Sequence, residues 1–341
     1  MNTISKNPIY DLAISYQKTA ALVAAARLNI FDLIGSSSVT AQNLADRADI
    51  PLKSVFALCD FLCILGLLVK SEGKYSIAAA ALAYLKPGSG SRFLDSLDFL
   101  AAPEIMSLYL NHPEKFIKNG GSAGLGVTAE NDRVWEKFAE AMLPFAAPAS
   151  KLVASKMKST HHSVSRVLDV AAGHGLYGIE FAHAFPEAEI TAVDWQDVLE
   201  VAKSKADQAN VGDRYSTLPG SIFDVSLPEK YDVILLPNIL HHFGVAACTE
   251  ILGKMKGSLS ENGAICIVDF MPDPETLTPP EAVAFAFQML ATTPDGSAYT
   301  VEDYCEFGSA VGLKKTSAWR LFPTPATLLV LQQRTGASSR N

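Results

Sequence analysis

The sequence lacks a positive charge balance, a long apolar run and a metal-type cysteine pattern, and each absence excludes a class of protein. Its 341 residues carry a formal net charge of -8, with an isoelectric point near 5.4, so the whole chain is not attracted to nucleic acid or an anionic membrane. Apolar runs such as 61–69 and 231–236 fall short of the roughly 20 residues that span a bilayer. The five cysteines form no CxxC pair, which favours buried thiols in a reducing cytoplasm.

The composition is that of a globular protein of about two domains. Hydrophobic residues make up 49% of the chain and charged residues 19%, far from the balance of a disordered protein. Residues 1–20 lack a basic segment followed by an uninterrupted apolar stretch, so we expect no signal peptide. These features predict a soluble, cytoplasmic protein.

Residues 1–100 predict a mainly helical domain that contains a winged helix. Thr40 is placed to cap one helix, and Pro51 starts a second helix whose apolar positions recur at helical spacing until Gly66. A two-strand wing follows. The predicted elements are helix 41–48, helix 51–65, strand 68–70, turn 71–73 and strand 74–77.

The winged helix raises a DNA-binding regulator as an alternative, but the charge of this domain argues against it. The would-be recognition helix holds one basic residue, Lys53, and residues 1–100 contain nine Lys and Arg against eight Asp and Glu, a net charge of +1. The domain therefore offers no basic stripe for phosphates. We expect it to pack against a second copy of itself, giving a homodimer and no nucleic-acid or membrane partner.

Residues 101–160 are expected to form connecting helices that line a substrate pocket. Prolines and the Gly-rich segment 120–126 punctuate this stretch. Its apolar side chains recur at helical spacing, which suits a pocket wall but also an ordinary core. The candidates for the pocket wall are Met106, Tyr109, Phe138, Met142 and Phe145.

Residues 161–335 alternate short apolar runs with helical ones, which is typical of a parallel sheet with crossover helices. We predict an α/β, Rossmann-like catalytic domain with a mostly parallel seven-stranded sheet, followed by a tail at 336–341. The predicted strands cover 166–170, 189–194, 216–219, 231–236 and 264–269, with a terminal pair near 313–320 and 326–332.

A glycine-rich turn follows the first of these strands. Residues 167–178 read VLDVAAGHGLYG, a buried strand that runs into a turn and then a helix, and such a turn lets a ligand approach the backbone closely. About 20 residues later the second strand ends in Asp194, which is placed to accept hydrogen bonds from ribose hydroxyls. The pattern indicates a nucleoside-binding site.

The same turn satisfies GxGxxG through Gly173, Gly175 and Gly178, so a nicotinamide-dependent dehydrogenase is a second alternative. Asp169 argues against that alternative. A carboxylate at the mouth of the turn would repel a pyrophosphate, whereas it suits a ligand with an ammonium group and no phosphate. S-adenosylmethionine is such a ligand.

Residues 10–335 resemble the small-molecule O-methyltransferases with an N-terminal dimerisation domain, the group of caffeic acid, hydroxyindole and many bacterial natural-product methyltransferases. The family's glycine motif, usually LDVGGGTG, reads LDVAAGHG over residues 168–175, with two alanines for glycines and His174 for the threonine. The resemblance implies S-adenosylmethionine as the cofactor and a small molecule as the acceptor.

The resemblance also implies a set of cofactor residues. Asp194 would hold the ribose, and residues 220–223 would lie along the adenine, where Ser221 departs from the family's GD pattern and leaves its hydroxyl or Asp224 to meet the adenine amine. Trp195 either stacks on the adenine or serves packing alone. The predicted cofactor residues are Asp169, Ala171, Gly173, Gly175, Asp194, Trp195, Ser221, Ile222, Phe223, Asp224 and Asn238.

Two histidines follow the fourth strand, at the carboxyl edge where open α/β sheets bind ligands. A histidine there can act as a general base on a hydroxyl. In the family this stretch reads LHDW, so the resemblance implies that His241 is the base, and we place His242 in the substrate pocket. It also implies that Asp269 orients the imidazole. The family's second acidic residue is Ala298 here, which leaves C- and N-methylation open as alternatives to O-methylation.

The second wall of the substrate pocket is predicted from one helix. Phe285 and Met289 share a helix face at i and i+4, with Leu290 beside them, and this lining favours an aromatic or apolar acceptor over a sugar, core packing being the alternative for each. The two histidines and Asp269 could converge on a metal ion, but no further histidine lies near the following helix. We therefore expect no metal.

Overall fold

The computed structural model describes residues 4–85, 93–123, 133–161, 163–227 and 229–333. Their backbone forms two compact units, Met1–Met106 and Ser107–Asn341. The predicted tail at 336–341 lies outside the described residues, as does part of the Gly-rich segment 120–126. No helix in the described ranges is both long and apolar enough to cross a membrane.

The first unit is mainly helical and has its own apolar core, which includes Ile30, Phe31, Leu62 and Tyr75. Short helices surround one small sheet. Its elements are α1 (Pro8–Ala13), α2 (Tyr16–Arg27), α3 (Ile30–Ile34), β1 (Val39–Thr40), α4 (Ala41–Ala48), α5 (Leu52–Ile64), β2 (Leu68–Ser71), β3 (Lys74–Ile77), α6 (Leu82–Leu85) and α7 (Leu97–Leu100), with the division from the second unit falling inside α8 (Pro103–Leu110).

The winged-helix elements form close to where the sequence places them, with one added strand and shifted ends, since α5 ends at Ile64 and β2 extends to Ser71. Thr40 caps α4 by accepting the Asn43 N–H at 3.2 Å, but Pro51 precedes α5 as its N-cap and Leu52 is the first helical residue. The wing has three strands in the order β1-β3-β2 rather than two. A two-residue strand is too short for alternation to reveal it, because only its pairing with Tyr75 and Lys74 defines it.

The second unit alternates strands and helices from its middle onward. It begins with two helices and then enters the large sheet. Its elements are α9 (Pro113–Asn119), α10 (Arg133–Thr160), β4 (Arg166–Val170), α11 (Leu176–Ala184), β5 (Glu189–Asp194), α12 (Gln196–Gln208), β6 (Tyr215–Pro219), β7 (Tyr231–Pro237), α13 (Val245–Gly257), β8 (Leu259–Asp269), α14 (Pro280–Thr292), α15 (Val301–Ala310), β9 (Leu313–Arg320) and β10 (Thr327–Gln333).

The large sheet has seven strands in the order β6-β5-β4-β7-β8-β10-β9. The first five strands are parallel, and β10 runs antiparallel to both β8 and β9. The predicted mostly parallel sheet with a terminal antiparallel pair is confirmed. The largest boundary difference is in β8, which starts at Leu259 instead of 264 because Leu259 already pairs with Tyr231 before a register shift.

The strand order reverses between β4 and β7, and this reversal opens a crevice at the carboxyl ends of the parallel strands. The residues at those ends are brought to one edge of the sheet. Ala171 follows β4, Asp194 ends β5, Asn238 follows β7 and Asp269 ends β8. The fold therefore gathers four of the predicted site residues although up to 98 positions separate them in the chain.

Helix α15 packs behind this edge and begins with a capping box. The Thr300 side chain accepts the Asp303 N–H at 3.0 Å, and the Asp303 carboxylate accepts the Thr300 N–H at 2.8 Å. Two backbone donors that the first turn leaves unpaired are thereby satisfied. The start of this helix is fixed by its own sequence.

Replacing Thr300 by alanine is expected to lower the free energy of unfolding of the second unit by about 1 kcal/mol, because one N-terminal donor of α15 loses its acceptor. All three tryptophans lie in this unit, so denaturant unfolding followed by tryptophan fluorescence measures the change. Thr249→Ala, inside α13, is the matched control and should have little effect. Equal losses in both variants would contradict the capping argument.

Candidate active site

An open cavity with about 800 Å³ of empty space lies at the carboxyl ends of β4, β5 and β7. Eight of the eleven predicted cofactor residues line it: Ala171, Gly173, Asp194, Trp195, Ser221, Ile222, Phe223 and Asn238. Asp169, Gly175 and Asp224 do not, and of the predicted substrate residues Phe138 and His242 do.

The turn after β4 is shaped by close packing as well as by backbone conformation. A Cβ at Gly175 would lie 2.8 Å from the Tyr215 hydroxyl, and one at Gly178 would lie 2.8 Å from Ile190. Both positions therefore require glycine to let α11 approach the sheet. Ala171 stands at φ +53°, a left-handed conformation that strains any residue with a Cβ.

Asp194 links the turn to the end of β5. Its carboxylate accepts the Gly173 N–H and the Trp195 N–H, each at 2.8 Å. Burial raises the pKa of Asp194 to about 6, and these two backbone donors only partly oppose the rise. Each carboxylate oxygen keeps capacity for a further donor from the cavity.

Asp169 lies beneath the turn and not at its mouth, contrary to the sequence interpretation. The side chain is fully buried, and Oδ2 accepts the Gly178 N–H at 2.8 Å. The side chain is on β4 and is directed toward Gly178 in the first turn of α11. Burial, with a smaller contribution from the charge of Asp194, raises the pKa of Asp169 to about 7. The Asp169 carboxylate lies below the turn and does not line the cavity.

The loop after β6 forms the opposite side of the cavity. The hydroxyl of Ser221 is already engaged within the loop, since its Oγ accepts the Phe223 N–H at 3.2 Å. The Phe223 ring meets Phe243 edge to face, with centroids 5.2 Å apart. Asp224 is exposed and turned away from the cavity. The wall presented by this loop is thus mainly apolar and aromatic.

Three buried polar atoms of cavity-lining residues find no hydrogen-bond partner among the described residues: Trp135 Nε1, Asn238 Oδ1 and His242 Nδ1. Burial, and secondarily the neighbouring His241, lowers the pKa of His242 well below its usual value. His242 is therefore neutral. Because unpaired buried polar groups are unfavourable, a cavity with three of them suits a ligand that carries both donors and acceptors.

His241, the predicted base, belongs to a buried chain of hydrogen bonds with Asp269 and Tyr304. Its Nδ1 lies 2.7 Å from Asp269 Oδ1, and Asp269 Oδ2 accepts the hydroxyl proton of Tyr304 at 2.7 Å. Asp269 Oδ1 also accepts the Phe270 N–H at 2.8 Å. All three side chains are almost completely buried. With Nδ1 bound to the carboxylate, Nε2 is the nitrogen that can exchange a proton.

His241 is flanked by two other predicted residues. The His242 ring centroid lies 4.4 Å away and the Phe285 ring meets His241 edge to face at 4.7 Å. The remaining predicted pocket residues do not line the cavity: Met289 is buried, Tyr109, Met142 and Leu290 are half-buried, Phe145 is exposed, and Met106 belongs to the first unit.

Sequence reasoning gave no role to several residues of this site, among them Trp135, Phe243 and Tyr304. Trp135 lines the cavity on the same helix as Phe138, and its i, i+3 spacing was an available signal. Phe243 directly follows the two histidines and stands at the aromatic position of the family's LHDW. Tyr304 gave no signal, because only the packing of α15 brings it to Asp269. In the described ranges, no cluster of three or more His, Cys, Asp or Glu is placed to hold a metal ion.

A Rossmann-like sheet with an antiparallel last pair and a cavity at its reversal point is the arrangement found in the S-adenosylmethionine-dependent methyltransferases. Comparison with known proteins gives the family within that class. Residues 110–314 match the O-methyltransferase domain, and residues 10–87 match the O-methyltransferase dimerisation domain. The chain belongs to this O-methyltransferase family.

Individual relatives cover nearly the whole chain. A 3-hydroxy-5-methyl-1-naphthoate 3-O-methyltransferase from Streptomyces sahachiroi is 26% identical over 322 residues, which are 92% of this chain and 91% of that enzyme. A crystal structure from Nostoc punctiforme, described as a candidate O-methyltransferase, is 36% identical with a TM-score of 0.91 and covers 96% of this chain and 99% of that one. Human N-acetylserotonin methyltransferase in complex with S-adenosylmethionine, 19% identical with a TM-score of 0.80 and coverages of 97% and 99%, shares the fold.

Replacing Ala171 by glycine is expected to raise the free energy of unfolding by about 0.5 kcal/mol. Relief of the left-handed strain, about 1–2 kcal/mol, outweighs the extra entropy that glycine gives the unfolded chain. Tryptophan fluorescence in a denaturant titration measures it. Ala172→Gly, at the next and buried position with no positive φ, should instead lose about 1 kcal/mol. A loss at both positions would show that Ala171 is not strained.

Proposed function

We propose that the protein transfers the methyl group of S-adenosylmethionine to a hydroxyl of a small aromatic or apolar acceptor, with His241 as the general base. The observation that carries this proposal is the 2.7 Å hydrogen bond from His241 Nδ1 to Asp269, at the edge of the sheet beside the cavity. It orients one imidazole nitrogen and leaves the other for chemistry.

The cavity residues fit this cofactor. Asp194 is to accept the ribose hydroxyls, while Trp195, Ile222 and Phe223 offer an apolar surface for the adenine. The unpartnered Oδ1 of Asn238 is a natural acceptor for the amino group of the methionine part. Asp169 and Asp194 place two raised-pKa carboxylates below and beside the site, which suits a cation better than a diphosphate.

S-adenosylmethionine supplies a methyl group on a sulfonium, so the protein's task is to position the acceptor, exclude water and remove a proton. His241 Nε2 takes the hydroxyl proton of the acceptor. Asp269 holds Nδ1 and stabilises the imidazolium that results. His242, neutral and with Nδ1 unpartnered, is available for a hydrogen bond to the acceptor.

The acceptor class follows from the aromatic side chains near the two histidines. Phe285 lies against His241, Trp135 lies 6.4 Å from His242 between ring centroids, and Phe138 packs on Trp135. Such walls favour a flat aromatic or apolar molecule over a sugar. The Streptomyces relative is named for a hydroxynaphthoate, an acceptor of this kind.

The domain assignments complete the proposal. Residues 1–100 serve as a winged-helix dimerisation domain, in keeping with the match over 10–87, and the protein works as a homodimer in the cytoplasm. Residues 101–160 supply part of the substrate wall through Trp135 and Phe138 of α10. Residues 161–335 hold the cofactor and the base.

Cofactor binding is expected to weaken about tenfold between pH 7.5 and pH 5. Asp194 loses its charge below a pKa of about 6, and only the carboxylate accepts two hydroxyl protons strongly. Isothermal titration with S-adenosylhomocysteine at several pH values measures the dissociation constant. Absence of binding at every pH, with NAD binding instead, would overturn the proposed function.

The matched control for this titration is Asp194→Asn. It keeps the size of the side chain but cannot ionise, so its weaker binding should vary much less with pH. Asp169, with a pKa near 7, titrates in the same window, and any slope that survives in Asp194→Asn belongs to it. An unchanged slope in the variant would remove Asp194 from the ribose site.

Replacing His241 by alanine is expected to lower kcat on a hydroxyl acceptor by roughly 10² or more, since no base then takes the proton. Binding of S-adenosylhomocysteine should stay within about threefold, because His241 does not line the cofactor cavity. Methyl transfer to a panel of phenols measures turnover. The exposed His183→Ala is the control, and equal turnover in both variants would contradict the role of His241.

A further inference from the structure

Asp269 receives a hydrogen bond from a residue outside every motif of the sequence. We propose that Tyr304 is a positioning residue for methyl transfer, whose hydroxyl holds Asp269 Oδ2 so that Oδ1 keeps His241 Nδ1 in one orientation. This inference rests on the proposed role of His241 as the base. It adds a third member to the histidine–aspartate pair that the family resemblance implies.

Asp269 is the middle member of the hydrogen-bond chain from His241 to Tyr304. Oδ1 is engaged by His241 Nδ1 at 2.7 Å and by the Phe270 N–H at 2.8 Å, and Oδ2 accepts from the Tyr304 hydroxyl at 2.7 Å. Asp269 is 2% exposed and Tyr304 is 0% exposed. Water therefore cannot replace the phenol, and without it a buried carboxylate oxygen would lose its donor.

Tyr304 is held firmly enough to act as a fixed donor. It lies one turn into α15, directly after the capping box formed by Thr300 and Asp303. Its ring meets Tyr299 at a centroid distance of 5.5 Å and Phe307 at 5.9 Å, both nearly edge to face. The ring cannot swing away without breaking this aromatic cluster, so the position of the hydroxyl is set by the fold.

The partner of Asp269 is a neutral hydroxyl and not a second carboxyl group. The family's second acid corresponds to Ala298, whereas the donor found on Asp269 is a neutral hydroxyl. Burial and the negative charge of Asp269 raise the pKa of Tyr304 well above its usual value, so Tyr304 keeps its proton. His241 is therefore bonded to one carboxylate, that of Asp269, which also accepts a hydrogen bond from the neutral Tyr304 hydroxyl.

Four titratable side chains near His241, Asp269 and Tyr304 are uncharged at neutral pH, while the carboxylates of Asp303 and Asp295 act on Tyr299. Burial raises the pKa of Cys248 and of Tyr299 to about 12 in each case, and it raises that of Tyr177 further. Burial likewise keeps His242 neutral.

The test is Tyr304→Phe, which removes the hydroxyl and keeps the ring. We expect the plateau kcat to fall about tenfold because the carboxylate loses one of its anchors. We also expect the acidic side of the profile of kcat against pH, its acidic limb, to move to higher pH by about 0.5–1 unit. The negative charge of Asp269 is then concentrated on Oδ1 and favours the imidazolium of His241. KM for S-adenosylmethionine should not change. An unmoved limb together with an unchanged plateau would overturn the proposal.

Tyr75→Phe is the matched control. Tyr75 is also fully buried and donates to an aspartate, Asp60, at 2.7 Å, but in the first unit. It should lower the Tm and leave kcat and the pH profile unchanged. A shifted limb in Tyr75→Phe would mean that the shift reflects lost stability, and the proposal would fail.

A double-variant cycle asks whether Tyr304 acts through Asp269. In an Asp269→Asn background, adding Tyr304→Phe should change kcat by less than about threefold, because the carboxylate that the phenol anchors is gone. A further tenfold loss would contradict positioning through Asp269. If Tyr304→Phe does not fold, a fluorinated tyrosine at position 304, a stronger donor of nearly the same size, should move the limb to lower pH, and an unmoved limb would refute the proposal.

The failure of this inference can be told from the failure of the proposed function. If His241→Ala keeps wild-type turnover, the base assignment itself is wrong, and the proposal falls with it. If His241→Ala loses turnover while Tyr304→Phe retains both the plateau and the limb, the base stands and only the role of Tyr304 is refuted.

Discussion

The hydrogen bond from the Gly173 N–H to Asp194 ties the ends of β4 and β5 together, and the rest of the site depends on that junction. Parallel strands expose their carboxyl ends on one edge, and the order of strands reverses beside β4. The turn must pass close to the sheet, which is why Gly175 and Gly178 have no room for a Cβ. A cavity is left where the two halves of the sheet diverge.

The three carboxylates at this edge of the sheet, Asp169, Asp194 and Asp269, have two different kinds of surroundings. Asp169 is buried and Asp194 is half-buried, and both carboxylates have raised pKa values and no basic partner among the described residues, an arrangement that a cationic ligand stabilises. Asp269 is instead surrounded by donors from three elements. Two of the carboxylates thus lack a counter-charge, and the third is engaged by hydrogen bonds on both oxygens.

The sequence predicted those parts of the candidate site that depend on a local pattern of neighbouring residues. The strand–turn–helix around 167–178, the acidic residue at the end of β5 and the histidines after β7 were all found from spacing and strand-end position. Helical periodicity was less reliable for pocket walls: Phe138 lines the cavity but Met142 and Phe145 do not. Periodicity identifies the buried face of a helix and does not say whether a core or a ligand faces it.

The amino-acid sequence by itself determined the two-part organisation, the mostly parallel sheet and the identity of the residues at the strand ends, because alternation, turn chemistry and capping act over a few neighbouring positions. Only the tertiary structure decided that Asp169 faces inward below the turn, that Trp135 joins the cavity, and that Tyr304 reaches Asp269 across 35 positions. Those contacts depend on how helices pack on the sheet, and no local pattern encodes the distance between surfaces that meet only when the chain is folded.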